Sequence, residues 1–137
     1  MTERHILMVC AKYAEQLRDM GCPPMREVVN FHGAKDFKIL ALRHCAYMLE
    51  RITEQLEAGQ YDKANRWLGF VQGVFYAVGY AGVDDMKDMN RDPDNPLLAK
   101  FKDMNPAQIT EFINQTLCLH GGVFRGEKCG KCGMDVR

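Results

Sequence analysis

ILALRHCAYMLERITEQLEAGQYDKANRWLGFVQGVF, Ile39 to Phe75, carries two apolar stripes at helical spacing on either side of one short break. In the first half Ile39, Leu42, Ala46, Leu49, Ile52 and Leu56 recur every three or four residues, which places them on one face of a helix from about Asp36 to Ala58. In the second half Ala64, Trp67, Leu68, Val71, Val74, Phe75 and Val78 do the same, from about Asp62 to Tyr80. Between them Gly59-Gln60-Tyr61-Asp62 leaves room only for a tight reversal, so the two helices must lie antiparallel and in contact. An antiparallel helical pair without a strand signal nearby sets the fold class as all-α.

The flanks extend the pattern. Ile6, Val9, Cys10, Tyr13, Leu17 and Met20 mark a first helix from Glu3 to about Met20, with Thr2 as its cap. It stops at Gly21-Cys22-Pro23-Pro24, because proline has no amide hydrogen to donate and pushes its predecessor out of the helical region. A short turn of helix is expected over Met25–Phe31, ended by Gly33. Gly82 is read as the end of the third helix, Val83–Arg91 as a short acidic helix, and Asp92-Pro93-Asp94-Asn95-Pro96 as a loop. Asn105, Pro106 and Gln108 form a helix start with cap, first-position proline and capping-box partner, and Ile109, Phe112, Ile113 and Leu117 give that helix its apolar face. The architecture expected is a helical bundle of four principal helices with a C-terminal zinc knuckle. Residues 1–117 form the bundle, and residues 118–137 a tail packed on it.

The knuckle rests on Cys118, His120, Cys129 and Cys132, spaced C-x-H-x8-C-x2-C. Zinc takes four nitrogen or sulfur donors, and two short chelating pairs on facing turns supply them with little backbone strain. Four protein donors leave no open coordination position, so the Zn²⁺ expected here is structural. The competing reading of the same residues is a reducible thiol pair.

Composition narrows the function. In 137 residues with 47% hydrophobic content there is enough apolar chain for one core, and 18 basic against 18 acidic residues leave no global field to attract nucleic acid or an anionic membrane. Met1–His5 opens directly into the amphipathic pattern with no signal-peptide core, and no apolar run reaches the roughly 20 residues of a membrane span. These features imply a reducing cytoplasm in which Cys10, Cys22 and Cys45 are spare thiols, Cys10 and Cys45 on apolar helix faces.

Several local features have been weighed for chemistry. Glu54-x-x-Glu57 and Asp85-x-x-Asp88 have the paired-carboxylate spacing of helical, magnesium-dependent nucleotide pyrophosphohydrolases. They are separated by a helix of about 18 residues, or roughly 27 Å, so in one chain they do not converge. His44 and Cys45 are adjacent on a helix and point about 100° apart, which disfavours a nucleophile and base pair. His5 and His32 are read as surface residues. Phe124, Arg125, Lys128, Lys131 and Arg137 surround the metal ligands and could meet a single strand as zinc knuckles do, although Glu127 and Asp135 offset part of their charge. Met86, Met89 and Met104, read as exposed and set among aspartates such as Asp85, suggest an adaptable protein-binding surface. Gly69, Gly73, Ala77 and Ala81 recur every four residues. Each interior glycine costs about 1 kcal/mol relative to alanine, so the stripe implies close approach of another helix, from this chain or from a second copy in a homodimer.

Arg66-Trp67-Leu68-Gly69-Phe70-Val71-Gln72-Gly73 followed by Val83-Asp84-Asp85-Met86-Lys87-Asp88-Met89-Asn90-Arg91 resembles the helical core of small accessory proteins of tailed bacteriophages, which mostly have no established function. The resemblance implies a bacterial host cytoplasm and a role in adjusting host or phage macromolecules, and transfers no catalytic residue. Function is therefore expected to be non-catalytic binding: first as an inhibitor or regulator of a host protein machine, second as nucleic-acid accessory binding through the tail, and third, distantly, as the pyrophosphohydrolase. Native mass spectrometry should find one zinc ion per chain, lost on chelation. Cys132→Ser should abolish metal binding and loosen the chain from about Leu117 onward with little change in helical circular dichroism; loss of all helical signal would make the metal a condition of folding.

Overall fold

The computed structural model describes residues 1–26 and 36–117. Their elements are α1 (Glu3–Asp19), α2 (Phe37–Glu57), α3 (Tyr61–Ala77), α4 (Val83–Arg91), a 3-10 helix (Pro96–Phe101) and α5 (Pro106–Leu117), with no strand among the described residues. The all-α fold and the antiparallel α2–α3 pair are as the spacing predicts. Residues of the short turn expected after Met25 fall mostly outside the described residues.

Local chemistry sets the boundaries. The Thr2 hydroxyl accepts from the His5 amide at 3.1 Å, and Asn105 and Gln108 exchange amide-to-side-chain bonds at 2.8 and 2.9 Å, the reciprocal box that starts α5. Asn95 caps the 3-10 helix through the Leu97 amide at 2.9 Å. At the other ends α1, α2 and α3 share one device, a glycine at positive φ followed by a six-residue backbone bond: Cys22 to Leu17, Gln60 to Gln55 and Tyr80 to Phe75. For α3 that glycine is Gly79 (φ 76°), not Gly82 as the sequence suggested; Tyr80 then turns back to pack edge-on against Phe75 at 4.9 Å.

α1 lies at the centre and touches every other element. Residues 5–11 are all buried, so α1 is not the one-faced helix its spacing implies: Leu7, Met8, Ala11 and Ala14 join the expected stripe, and Met20 is exposed. His5, expected at the surface, is buried and donates from Nε2 to the Met89 carbonyl at 2.7 Å, which fixes α4 against α1. Arg4 donates to the carbonyl oxygens of Met104, Phe101 and Lys102, closing the end of the 3-10 helix. Gln72 of α3 donates to the Tyr13 hydroxyl at 3.0 Å and exchanges amide bonds with Asn90 of α4 at 2.8 and 3.0 Å, so three helices share one satisfied polar knot.

Three other expectations need correction. Ile39 is 51% exposed, because the first turn of α2 projects past the core. Trp67, Val74 and Val78 are half-buried at its margin. The small-residue stripe makes no close contact with another described helix of the same chain: a Cβ built on Gly69 or Gly73 meets nothing within 4 Å, Ala77 is exposed, and Ala81 is partly buried against the core. α3 faces inward through Ala64, Leu68, Val71, Gln72 and Phe75, which turns the glycine side to solvent. Gly69→Ala with Gly73→Ala should therefore raise stability in urea by about 1 to 2 kcal/mol, the helix-propensity gain of two glycines replaced in open space; a loss would mean that something packs there.

Candidate functional site

The residues of the predicted metal centre, Cys118, His120, Cys129 and Cys132, lie outside the described residues, as do Phe124, Arg125, Lys128, Lys131 and Arg137. The last described residue before them, Leu117, is buried at the end of α5. Beside it is an apolar depression of about 290 Å³ lined by Arg18, Cys22, Pro23, Pro24 and Thr116.

Among the described residues no group of three or more His, Cys, Asp or Glu side chains is placed to hold a metal ion, so Glu54, Glu57, Asp85 and Asp88 do not gather into one site. The methionine surface also fails to form. Met86 and Met89 are 7% and 4% exposed, inside the core between α4 and α1, and Met104 is half-buried against the same core. Their spacing of three puts both on the inner face of α4, while Asp84, Asp85 and Asp88 take the outer one.

What the fold does present is the seam between α2 and α3 on the side away from α1. Two shallow depressions, of about 340 and 380 Å³, meet at Trp67. The first is bordered by Tyr47, Arg51, Gln55 and Lys63, the second by His44, Met48, Arg66 and Phe70. Helical periodicity builds this surface from sequence: Tyr47 and Arg51, Lys63 and Trp67, and Arg66 and Phe70 are each four residues apart, so cation and ring share a face. The Arg51 guanidinium lies over the Tyr47 ring at 5.2 Å and the Lys63 ammonium over Trp67 at 5.7 Å, while His44 stacks on Tyr47 at 5.8 Å. This repeated spacing was the signal that sequence reasoning overlooked. Phe70 is 57% exposed and completes an apolar wall.

The charges of the seam are unequal in availability. Arg51 is held by Glu54 at 3.1 Å and Glu50 at 3.6 Å. Lys63 and Arg66 are exposed and form no ion pair among the described residues. His44 is oriented by donating Nδ1–H to the Met25 carbonyl at 3.3 Å, and Arg43 and Met25 add bonds that hold residues 23–25 along α2.

Cys45 does not pair with His44. It is fully buried on the inner face of α2, as Cys10 is on α1, and burial pushes both thiols up to about 12 from an ordinary 9.0. Burial likewise raises Tyr13 to about 12, against the lowering effect of the Gln72 hydrogen bond. These groups stay neutral in the folded chain and ionise first in the unfolded one. Their contribution is therefore intact below about pH 9 and lost as pH rises toward 12. Urea denaturation followed from pH 8 upward should show stability falling above pH 9, by up to about 1.4 kcal/mol per thiol per pH unit. Cys10→Ala with Cys45→Ala should flatten that slope.

No helix among the described residues is long and apolar enough to cross a membrane. Compared with known protein families, curated proteins and solved structures, the chain matches none.

Proposed function

We propose that the protein acts by binding a macromolecule without chemistry of its own, and that its partner is a protein. The observation that carries this reading is the α2–α3 seam, where the exposed ring of Phe70 and the half-buried Trp67 stand beside the exposed cations Lys63 and Arg66, which form no ion pair among the described residues. Aromatic residues and arginine are the side chains enriched at protein interfaces and at their energetic centres. The seam lies on helices fixed from behind by the core, so its backbone is ordered before binding and only exposed side chains lose freedom. In this reading the zinc knuckle of Cys118, His120, Cys129 and Cys132 is structural and holds the tail, and the setting is the bacterial cytoplasm implied by the likeness to phage accessory proteins, with a host or phage protein machine as the target.

Nucleic-acid accessory binding is the second reading, favoured by Lys63 and Arg66 together with the basic residues of the tail. A magnesium-dependent hydrolase is the least supported, since its four carboxylates stand apart in the single chain.

Affinity capture from a bacterial lysate by the full chain, with and without nuclease, separates these readings. A stoichiometric protein partner that survives nuclease is expected. Loss of every partner on nuclease treatment would transfer the function to nucleic acid, and magnesium-dependent pyrophosphate release from nucleoside triphosphates, abolished by Asp85→Ala, would overturn both.

A further inference from the structure

We infer that the α2–α3 seam receives an acidic, amphipathic segment of the partner protein, with one apolar side chain seated between Trp67 and Phe70 and carboxylates on Arg66 and Lys63; this rests on the reading of the protein as a protein binder. The depression of about 380 Å³ beside Trp67 has Met48 and the indole at its base and the exposed Phe70 ring as a wall, a shape that takes an aliphatic or aromatic side chain. Arg66 stands at its edge with a guanidinium that can grip a carboxylate through two parallel bonds. Lys63, one turn earlier on the same helix, borders the neighbouring depression. The two cations thus ask for two carboxylates about one helical turn apart, flanking the apolar anchor, which is the pattern of an amphipathic helix laid in a groove.

The same residues argue against a nucleic-acid strand. A strand stacks successive bases on open ring faces, and here Arg51 covers Tyr47, His44 stacks on it, and Lys63 covers one face of Trp67, which leaves Phe70 as the one well-exposed ring of the seam. Arg51 is already neutralised by Glu54, so among the described residues the seam offers two cations without an ion pair, and neutralising two phosphates gives a salt slope of only about −1.4 for a single strand. A docked peptide can leave the Arg51–Tyr47 and Lys63–Trp67 pairs in place and set its carboxylates on Lys63 and Arg66, which form no ion pair among the described residues.

The test is selection of random displayed peptides on the full chain, followed by synthesis of the tightest one and of its amide version with every Asp and Glu changed to Asn and Gln. Binding is read by fluorescence anisotropy against the parent chain, Arg66→Glu and Phe70→Ala. Both positions are exposed, so the variants should keep the parent's helical circular dichroism. The selected peptides should be acidic with a recurrent large apolar residue, and the amide version and each variant should bind about tenfold or more weakly. Selection of basic or uncharged peptides, selection of none, or equal binding by both variants would overturn the assignment. A thymidine oligonucleotide that binds tighter than the selected peptide and is released by Phe70→Ala would give the seam to nucleic acid. Sedimentation of the parent as a dimer that both variants convert to monomer would give it to a second copy of the chain. Should Arg66→Glu and Phe70→Ala still capture the nuclease-resistant partner from lysate, the protein-binding function stands and only this site falls.

Discussion

Everything in the bundle leans on the burial of α1 from all sides. Residues 5–11 are removed from water around the whole circumference of the helix, and every other element packs against it. Each large apolar side chain so buried contributes about 1.5 to 3 kcal/mol, so this helix supplies a disproportionate share of the force that closes the fold. Where α1 is enclosed its polar groups have no route to water. His5 and Tyr13 must find protein partners, and they find them in the Met89 carbonyl and the Gln72 amide, while the part-buried Arg4 spans the carbonyls of residues 101, 102 and 104. A buried hydrogen bond adds only about 1 kcal/mol net, but one left unmade costs about 1 to 3 kcal/mol. Apolar burial therefore decides that the elements collapse on α1, and the polar contacts decide in which orientation α4 and the 3-10 helix do so.

This arrangement also decides where a binding surface can be. α4, α5 and the 3-10 helix all spend their apolar faces on α1, including the methionines Met86 and Met89. α2 and α3 chiefly pack on one another, with narrower contacts of both to α1 and of α2 to α5, and the described elements leave the outer edge of the pair uncovered. The aromatic residues at that edge, Tyr47, Trp67 and Phe70, are too large to be hidden by a two-helix contact, and the cations beside them keep the surface compatible with water.

How far the sequence could be read follows from the same physics. The α2 and α3 stripes, the Gly59 reversal, the Asn105 and Gln108 box and the limits of α4 depend on spacing and local bonding, and spacing and local bonding are what a chain displays. Periodicity, however, detects a single face. It under-reads α1, where residues 5–11 are buried all round, and over-reads Ile39, which has the right phase but lies exposed in the first turn of α2. The aspartates beside Met86 and Met89 suggested exposure, although on a helix adjacent residues face different ways. Gly69 and Gly73 suggested close packing because their cost seemed to need offsetting, yet a Cβ on either meets nothing within 4 Å and no described helix of the chain packs there. The hydrogen-bond partners of His5 and Gln72 lie 84 and 18 residues away, and no local pattern announces such pairings. The seam itself was legible: three ring and cation pairs four residues apart were in plain sight between residues 47 and 70.

The seam's order of construction bears on how it would discriminate between partners. Arg51 is fixed by Glu54 and rests on Tyr47, and Tyr47 is braced by His44, whose own ring is tied to the Met25 carbonyl. One half of the surface is thus already ordered before anything binds, and contact there forfeits little side-chain entropy. Among the described residues nothing braces Arg66 and Phe70 in this way, and they lose rotamer freedom on binding, up to about 2 kcal/mol for the arginine. That loss is recovered only by a ligand that offers both a carboxylate and an apolar group at the right separation. A ligand with charge alone would be drawn in by Lys63 and Arg66 and would leave again, because exposed ion pairs add at most about 1 kcal/mol, whereas the closing of Phe70 over an apolar side chain removes water from both. Selectivity in this seam accordingly comes from its exposed half, Arg66 and Phe70, and the braced half provides the floor against which that choice is made.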